Sequence, residues 1–410
     1  MHIAIIGGGA AGCFAAINIK RFITQARVTV YESGHKPLSK VAITGGGRCN
    51  LTNSFNEVKS TEAVYPRGTR LMKRLLNVFS HEDVYRWFEN EGVKLITQDD
   101  QCVFPQSQNA MEIVDTLKRL MYDNGVTLKT RHRIANIEKN DNGAFRLTFT
   151  DSSISSSTAD IVVVTTGGSP KAYGLDFLNS FNLEIIPPVP SLFSLCLPHS
   201  DITKLQGTVV KNVTLGLCGT KIRAVGALLI THWGMSGPAI LRLSSYAARL
   251  LHEQNYKADM SVNWMEGMNE SLVAECLDLL VTGNNKKMLS SVYPKHLNSK
   301  LWAHLLRQGG LNPYIRWAEL GSKGRNKLVA TLTNDIYRID GKNRFKDEFV
   351  TCGGVALSNI NINTLESKKH GGLYFAGEVL DVDAVTGGFN LQAAWTMGYV
   401  TAKSIADKYR

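Results

Sequence analysis

The chain has 410 residues, 44% hydrophobic and 20% charged, which excludes a disordered tail or a collagen-like fibre. At ~150 residues per domain this length gives about two or three domains. The 46 Lys and Arg outweigh the 35 Asp and Glu to give a formal charge of +11, and Lys286 to Lys346 alone holds thirteen cations against three carboxylates. The longest apolar runs, such as Ala159–Thr166 and Val225–Ile230, fall far short of the ~18–20 residues of a membrane-spanning helix. Met1-His2 leads directly into an apolar strand with no leader pattern, so a cytoplasmic protein is expected. Seven cysteines stand singly, without metal-ligand spacing, so neither a disulfide framework nor a metal is expected.

The N-terminus reads as strand His2–Ile6, Gly-rich turn Gly7–Gly12, helix Cys13–Ile23 and strand Arg27–Glu32, a compact βαβ opening. After a loop over 36–56, Arg70–Phe79 has helical character. Ser80 and Asp83 have capping-box spacing ahead of Val84, Trp87 and Phe88. A helix follows over about Ala110–Tyr122, then a hairpin of Arg133–Lys139 and Ala144–Thr150 about Asn140–Gly143, and a buried parallel strand at Asp160–Thr165. Pro187, Pro188 and Pro190 are read as breaking regular structure and marking a domain crossing.

Strand-like runs come next at 191–197, 208–217, 221–230 and 258–264, with a helix over about Pro238–His252 capped by Ser236. Helical patterns dominate 266–320. Residues 328–332 and 348–357 return to strand-like composition, and the chain closes with strand Gly372–Phe375 and a helix over about Asn390–Tyr409. The expected fold class is α/β: a Rossmann-like nucleotide-binding domain, a parallel sheet with helices and a β-meander, assembled from residues 1–189 and 351–410. A β-rich domain (190–265 and 326–350) and a small helical domain (266–325) are inserted.

Gly7-Gly8-Gly9-Ala10-Ala11-Gly12 meets the G-x-G-x-x-G pattern in its required place, after a strand and opening a helix. Gly7 serves the tight turn, Gly9 the approach of a pyrophosphate, and Gly12 helix-to-sheet packing. Glu32, at the end of the second strand, is placed to accept from an adenosine ribose. Two further sets of Gly-rich turns are suited to a long dinucleotide: Gly45-Gly46-Gly47-Arg48-Cys49-Asn50, and Thr166-Gly167-Gly168 with Gly377-Glu378. Such repeated returns to one cofactor are expected for FAD.

With these strings the chain resembles the BaiN/RdsA family of FAD-dependent oxidoreductases along essentially its whole length. Gly45–Asn53 is similar to the family's GGGRCN-x-TN signature, His232–Pro238 to its TH-x-G-x-SGP segment, and Gly353–Val355, Ala376–Asp383 and Thr386–Gln392 to its closing signature. The resemblance implies that Gly7, Gly9, Ala10, Ala11 and Gly12 hold the pyrophosphate and Glu32 the ribose. It places Gly46, Gly47, Arg48, Cys49 and Asn50 near flavin or pyrophosphate, and Glu378 near the ribityl or phosphate region. Gly388, Phe389 and Asn390 would begin a helix facing the flavin's N1/O2 edge. The family's usual basic position is replaced here by Pro37-Leu38-Ser39-Lys40, leaving Lys40 as the nearest substitute for a phosphate contact.

Activities in the family include reduction of a uridine in large-subunit ribosomal RNA to dihydrouridine. On this reading NAD(P)H reduces the flavin and an acid protonates the base, with Cys49 and His232 as candidate acids beside bland roles as a buried neighbour and a loop anchor. Lys323, Arg325 and Lys327, within the basic stretch, are the expected RNA contacts, with exposed aromatics to stack bases. Cations and aromatics in that stretch also suit a merely solvated face over ordinary core aromatics. The alternatives are a flavin-dependent oxidase or reductase of a small amine or enone, and a non-catalytic flavin-containing RNA-binding factor. A monomer is expected.

Overall fold

The computed structural model describes residues 1–169, 172–343 and 350–409, and divides into two compact units, Met1–Pro190 with Lys346–Arg410, and Ser191–Phe345. The first unit is built on five parallel strands: β1 (His2–Ile6), β2 (Arg27–Tyr31), β3 (Thr127–Lys129), β4 (Ile161–Val164) and β5 (Leu373–Phe375), in the order β5-β4-β1-β2-β3. Every residue of β1 and β4 is buried, as expected of parallel strands covered on both faces. The register aligns Ile6 with Val164 and Tyr31, so the strand ends carrying the Gly-rich turns lie at one edge. This is a Rossmann-like α/β fold.

Helix α1 (Ala10–Phe22) lies between the sheet and the closing helix α2 (Phe389–Tyr409). Two glycines allow that approach. A Cβ at Gly12 would overlap the Gly7 carbonyl oxygen, and one at Gly398 would sit 2.8 Å from Ala11 O. Phe14 then packs against Trp87, Phe88, Phe79 and Trp395, an aromatic cluster that fixes the helix pair. Helix His81–Asn90 contributes Trp87 and Phe88 to it, and the expected Ser80–Asp83 capping box is formed. A three-stranded antiparallel meander (Ile134–Lys139, Phe145–Phe149, Ser157–Ala159) completes the unit, together with a small sheet holding Thr52–Asn53.

The second unit carries a six-stranded antiparallel sheet, ordered Leu195–Cys196, Gly234–Ser236, Arg223–Thr231, Val209–Leu217, Lys257–Asn263 and Asp335–Asp340. Helices Pro238–Tyr246, Glu270–Val281, Ser299–Gln308 and Gly321–Thr333 belong to the same unit.

Several local expectations are corrected. Pro187, Pro188 and Pro190 lie inside strand Ile185–Ser191, one of a two-stranded sheet, because a proline φ near −65° is compatible with an extended edge. Residues 328–332 are helical, since Leu328, Val329 and Leu332 make one buried face of Gly321–Thr333. Residues 39–47 of the expected loop are a kinked helix. Ser236 does not cap its helix; the cap is Gly237, and the Ser236 hydroxyl meets Ser194 Oγ at 2.7 Å.

Replacing Gly12 with alanine is expected to lower stability by about 1–3 kcal/mol or more, because both neighbours of the added methyl are backbone or fixed polar atoms of the turn. Urea unfolding measures it, and an unchanged midpoint would contradict the packing described.

Candidate functional site

The turn after β1 is made by three glycines with different jobs. Gly7 has φ +110°, and a Cβ there would lie 2.5 Å from Thr165 O. The Thr165 hydroxyl donates to Gly7 O at 2.9 Å and so ties the turn to the end of β4. A Cβ on Gly9 would meet nothing within 4 Å, so open space lies in front of the helix. Gly9 is the N-cap of α1 and gives no side-chain cap, and the first turn holds no acidic residue. The first backbone N–H groups of α1, those of Ala10, Ala11 and Gly12, therefore have no partner within the helix and form the positive end of its dipole. Beside them Glu32 is fixed by two amides, Gly8 N–H donating to Oε2 at 2.8 Å and Gly34 N–H to Oε1 at 2.6 Å. The Ser33 hydroxyl also donates to Oε1, at 3.3 Å, so Oε2 is the oxygen that retains a lone pair for a further donor. Open space, uncapped amides and an oriented carboxylate are what a dinucleotide pyrophosphate and ribose require.

The second Gly cluster folds as a break in helix Ser39–Gly47. Gly45, Gly46 and Gly47 all have positive φ, and a Cβ at Gly46 or Gly47 would meet nothing within 4 Å. Arg48 is exposed, with its guanidinium 4.4 Å above the Phe104 ring and Nε donating to Gly45 O. Cys49, a candidate acid on its sequence position, is placed inside the first unit. It has no exposed surface, packs in the core of the unit, and burial pushes its thiol up to about 12. This burial fits the role of a small buried neighbour.

The polar residues that follow reach the N-terminus of α2. The Asn50 amide, oriented to satisfy both partners, donates to Thr52 O at 3.1 Å and accepts from Gly388 N at 3.2 Å. Asn53 donates to Gly387 O at 3.0 Å, and the Thr52 hydroxyl donates to the fully buried Gln392. A Cβ at Gly388 would overlap Thr52 O, which accounts for glycine there. Asn390 clamps its own loop, bonding both N and O of Ala384 at 2.9 and 3.0 Å, and Phe389 is buried with its carbonyl accepting from Tyr65 OH.

Thr166 is exposed at the end of β4, followed by Gly167 in a left-handed conformation. A Cβ at Gly168 would overlap Thr351 Oγ1 and Glu378, and the Glu378 carboxylate accepts from Thr351 N at 2.8 Å. A Cβ at Gly377 would lie 3.0 Å from Ala11 Cβ, so the Glu378 loop passes close over the start of α1. Lys40, exposed on the kinked helix, is 3.5 Å from Glu378 Oε2, so two of the expected cofactor residues form an ion pair with each other. The loop ahead of α2 is held by a buried, two-pronged Arg67–Asp383 pair, and Asp381 accepts from Gly353 N at 2.8 Å. Burial works to lower the Arg67 guanidinium, but the hydrogen bonds and charge of Asp383, with the nearby Asp381 carboxylate, outweigh it and raise it above its ordinary value.

The first unit thus gathers all the expected cofactor residues from Gly7 to Asn390. His232, exposed beside Trp233, lies in the second unit, as do Lys323, Arg325 and Lys327. Arg325 is not a free surface cation: its Nη2 donates to Ala274 O at 3.0 Å and to Asp278, tying helix Gly321–Thr333 to helix Glu270–Val281. Lys323 and Lys327 on the same helix are exposed. Trp302, Trp317 and Tyr337 are core residues; Arg344, Phe345 and Lys346 lie outside the described residues. Tyr65, Arg67, Thr351 and Gln392 help to build the site but were not expected to. Thr52 and Asn53 carried a signal, the end of the GGGRCN-x-TN string, whereas isolated Tyr65 and Arg67 carried none.

A model of the HI0933-like protein Rossmann domain family matches residues 1–404. The chain is 27% identical to a 3-dehydro-bile acid delta(4,6)-reductase of Clostridium scindens, over 99% of each chain. It is 28% identical to a ribosomal RNA dihydrouridine synthase of Escherichia coli, covering 98% of this chain and 97% of that one. Among solved structures it is similar to a 3-ketosteroid-delta4-(5alpha)-dehydrogenase of Rhodococcus jostii, at 14% identity and a TM-score of 0.49, covering 98% of this chain and 96% of that one.

Because its thiol is buried and raised to about 12, Cys49 is expected to resist iodoacetamide in the native protein at pH 8, while exposed Cys218 is labelled. Peptide mapping by mass spectrometry reads this out. Equal labelling of the two would return Cys49 to the list of reactive groups.

Proposed function

The chain belongs to the HI0933-like Rossmann family, and from that premise we propose that it is an FAD-dependent oxidoreductase that reduces a uridine of large-subunit ribosomal RNA to dihydrouridine with electrons from NAD(P)H. The observation that carries the cofactor half of this reading is the open space at Gly9, set between the uncapped amides of α1 and the oriented Glu32 carboxylate. In it, Gly7–Gly12 receive the pyrophosphate, Glu32 accepts from the ribose hydroxyls, and Asn50, Thr52 and Asn53 hold the N-terminus of α2 in place. Bound FAD supplies hydride chemistry.

Read as chemistry, the names of the two relatives describe one transformation, saturation of a C=C bond conjugated to a carbonyl. In uridine the hydride adds at C6 and a proton at C5, while NAD(P)H is oxidised to NAD(P)⁺. Of the two side chains expected to supply the proton, His232 is the exposed one. The charge of +11 and the exposed Lys323 and Lys327 favour a polyanionic substrate over a steroid. A small enone is the second reading, supported by the bile-acid reductase relative.

Deleting the gene is expected to abolish one dihydrouridine of large-subunit ribosomal RNA, and complementation to restore it, as measured by mass spectrometry of the purified RNA. An unchanged level, in a strain with no paralogue, would select the enone reading. Gly9→Glu, whose Cβ would meet nothing within 4 Å and whose φ of −86° is ordinary, is expected to fold normally yet purify without flavin, because it extends into the space before the helix and adds like charge beside the phosphates. Full flavin content in that variant would contradict the assignment.

A further inference from the structure

The thirteen cations of 286–346 are not equivalent, and one backbone feature sorts them. Residues 285–290 run antiparallel beside 313–318: Met288 bridges Arg316, Leu289 N–H donates to Ile315 O at 2.9 Å, and Trp317 N–H donates to Lys287 O at 3.1 Å. Leu289 and Trp317 point into the core of the unit. Trp302 braces the ribbon from beneath, its Nε1 donating to Leu289 O at 2.8 Å and its ring stacked on Trp317. The opposite face carries Lys286, Met288, Arg316 and Tyr314, all exposed, with Tyr314 at 76% and Met288 at 50%. Neither strand of the ribbon holds a carboxylate; Glu319, just past it, accepts from the Arg316 backbone N–H at 3.0 Å.

We propose that this braced ribbon is a contact surface for an unpaired RNA segment, with Tyr314 stacking on a base and Lys286 and Arg316 meeting the flanking phosphates. The inference rests on the RNA reading above and names where the second unit holds the substrate. Charge decides between occupants. A phenol ring flanked by two cations suits a chain that alternates a flat, sequence-tolerant ring with a negative charge. The rigid backing means that little ordering entropy is lost on contact.

The test is fluorescence anisotropy of the full-length holoenzyme with fluorescein-labelled oligouridylate over a range of salt concentrations, without turnover. Tyr314→Ala is expected to raise Kd about 5- to 150-fold, the loss of one base stack, at unchanged salt slope. Tyr314→Phe is expected to bind as the wild type does. Lys286→Gln and Arg316→Gln are each expected to reduce the log–log salt slope by about 0.7. The three substituted side chains are exposed, and thermal melts check that each variant folds.

Wild-type affinity in Tyr314→Ala, or an equal Tyr314-dependent affinity for polyglutamate, would overturn the proposal, the latter in favour of an acidic protein segment. The binding result stands apart from the functional reading. If the cell makes the same dihydrouridine without this gene while the Tyr314 pattern holds, the reading fails and the ribbon stands. If the modification depends on the gene but Tyr314→Ala binds normally, the ribbon fails.

Discussion

The closeness of α1 to the ends of β1 and β4 is the constraint from which the rest of the first unit follows. With Gly7 at φ +110° and no side chain on Gly12, the helix starts against the strand ends, and its first amides are directed at open space and not at protein. Gly398 repeats the device on the other side, letting α2 lie against α1. A methyl at Gly7, Gly12 or Gly398 would push an element out of register, whereas one at Gly9 has room. Three glycines are therefore explained by packing and one by what must approach.

A second layer of organisation joins distant parts of the chain to this frame. Residues 50–53 meet 387–392 through Asn50, Thr52 and Asn53. The buried relay continues from Gln392 to Thr396, whose hydroxyl donates to Phe79 O at 2.9 Å. Trp395 adds a bond from its indole to Leu51 O at 3.0 Å. Buried polar groups satisfied this fully are costly to disrupt, because each orphaned donor loses about 1–3 kcal/mol of solvation. The same logic applies to Arg67 and Asp383, where removing one partner leaves the other charge buried. The loop before α2 is thus held by hydrogen bonds and a charge pair, with its glycines free to take the positive φ that the close contacts require.

Patterns that depend on neighbouring residues were legible in the sequence. The opening βαβ unit, the Ser80–Asp83 box, the hairpin about Asn140–Gly143 and the buried strand at 161–164 each carry their signal within a few residues. Where composition competes with context, the sequence misleads. Three prolines suit an extended edge as well as a break, and Val329 and Thr331 sit in a helix because Leu328, Val329 and Leu332 form its buried face. The cations of the basic stretch look alike in sequence, yet Arg325 turns inward to Asp278 while Lys323 and Lys327 face solvent. Cys49 lies in the most recognisable string of the chain and is nonetheless a core residue. Arg67 and Asp383 meet across more than three hundred positions, and nothing local announces that contact.

On the proposed function, the open Gly-rich turns of the first unit and the cationic, aromatic-bearing ribbon of the second serve one reaction, saturation of an enone-like C=C bond carried by RNA. The most direct measurement is anaerobic stopped-flow of NADH-reduced holoenzyme, following flavin absorbance on mixing with unmodified large-subunit ribosomal RNA or with a 3-oxo-4,6-diene steroid. The account predicts reoxidation by the RNA, matched mole for mole by dihydrouridine formed, and none by the steroid. Reoxidation by the steroid alone would contradict it and make the chain a small-molecule enone reductase.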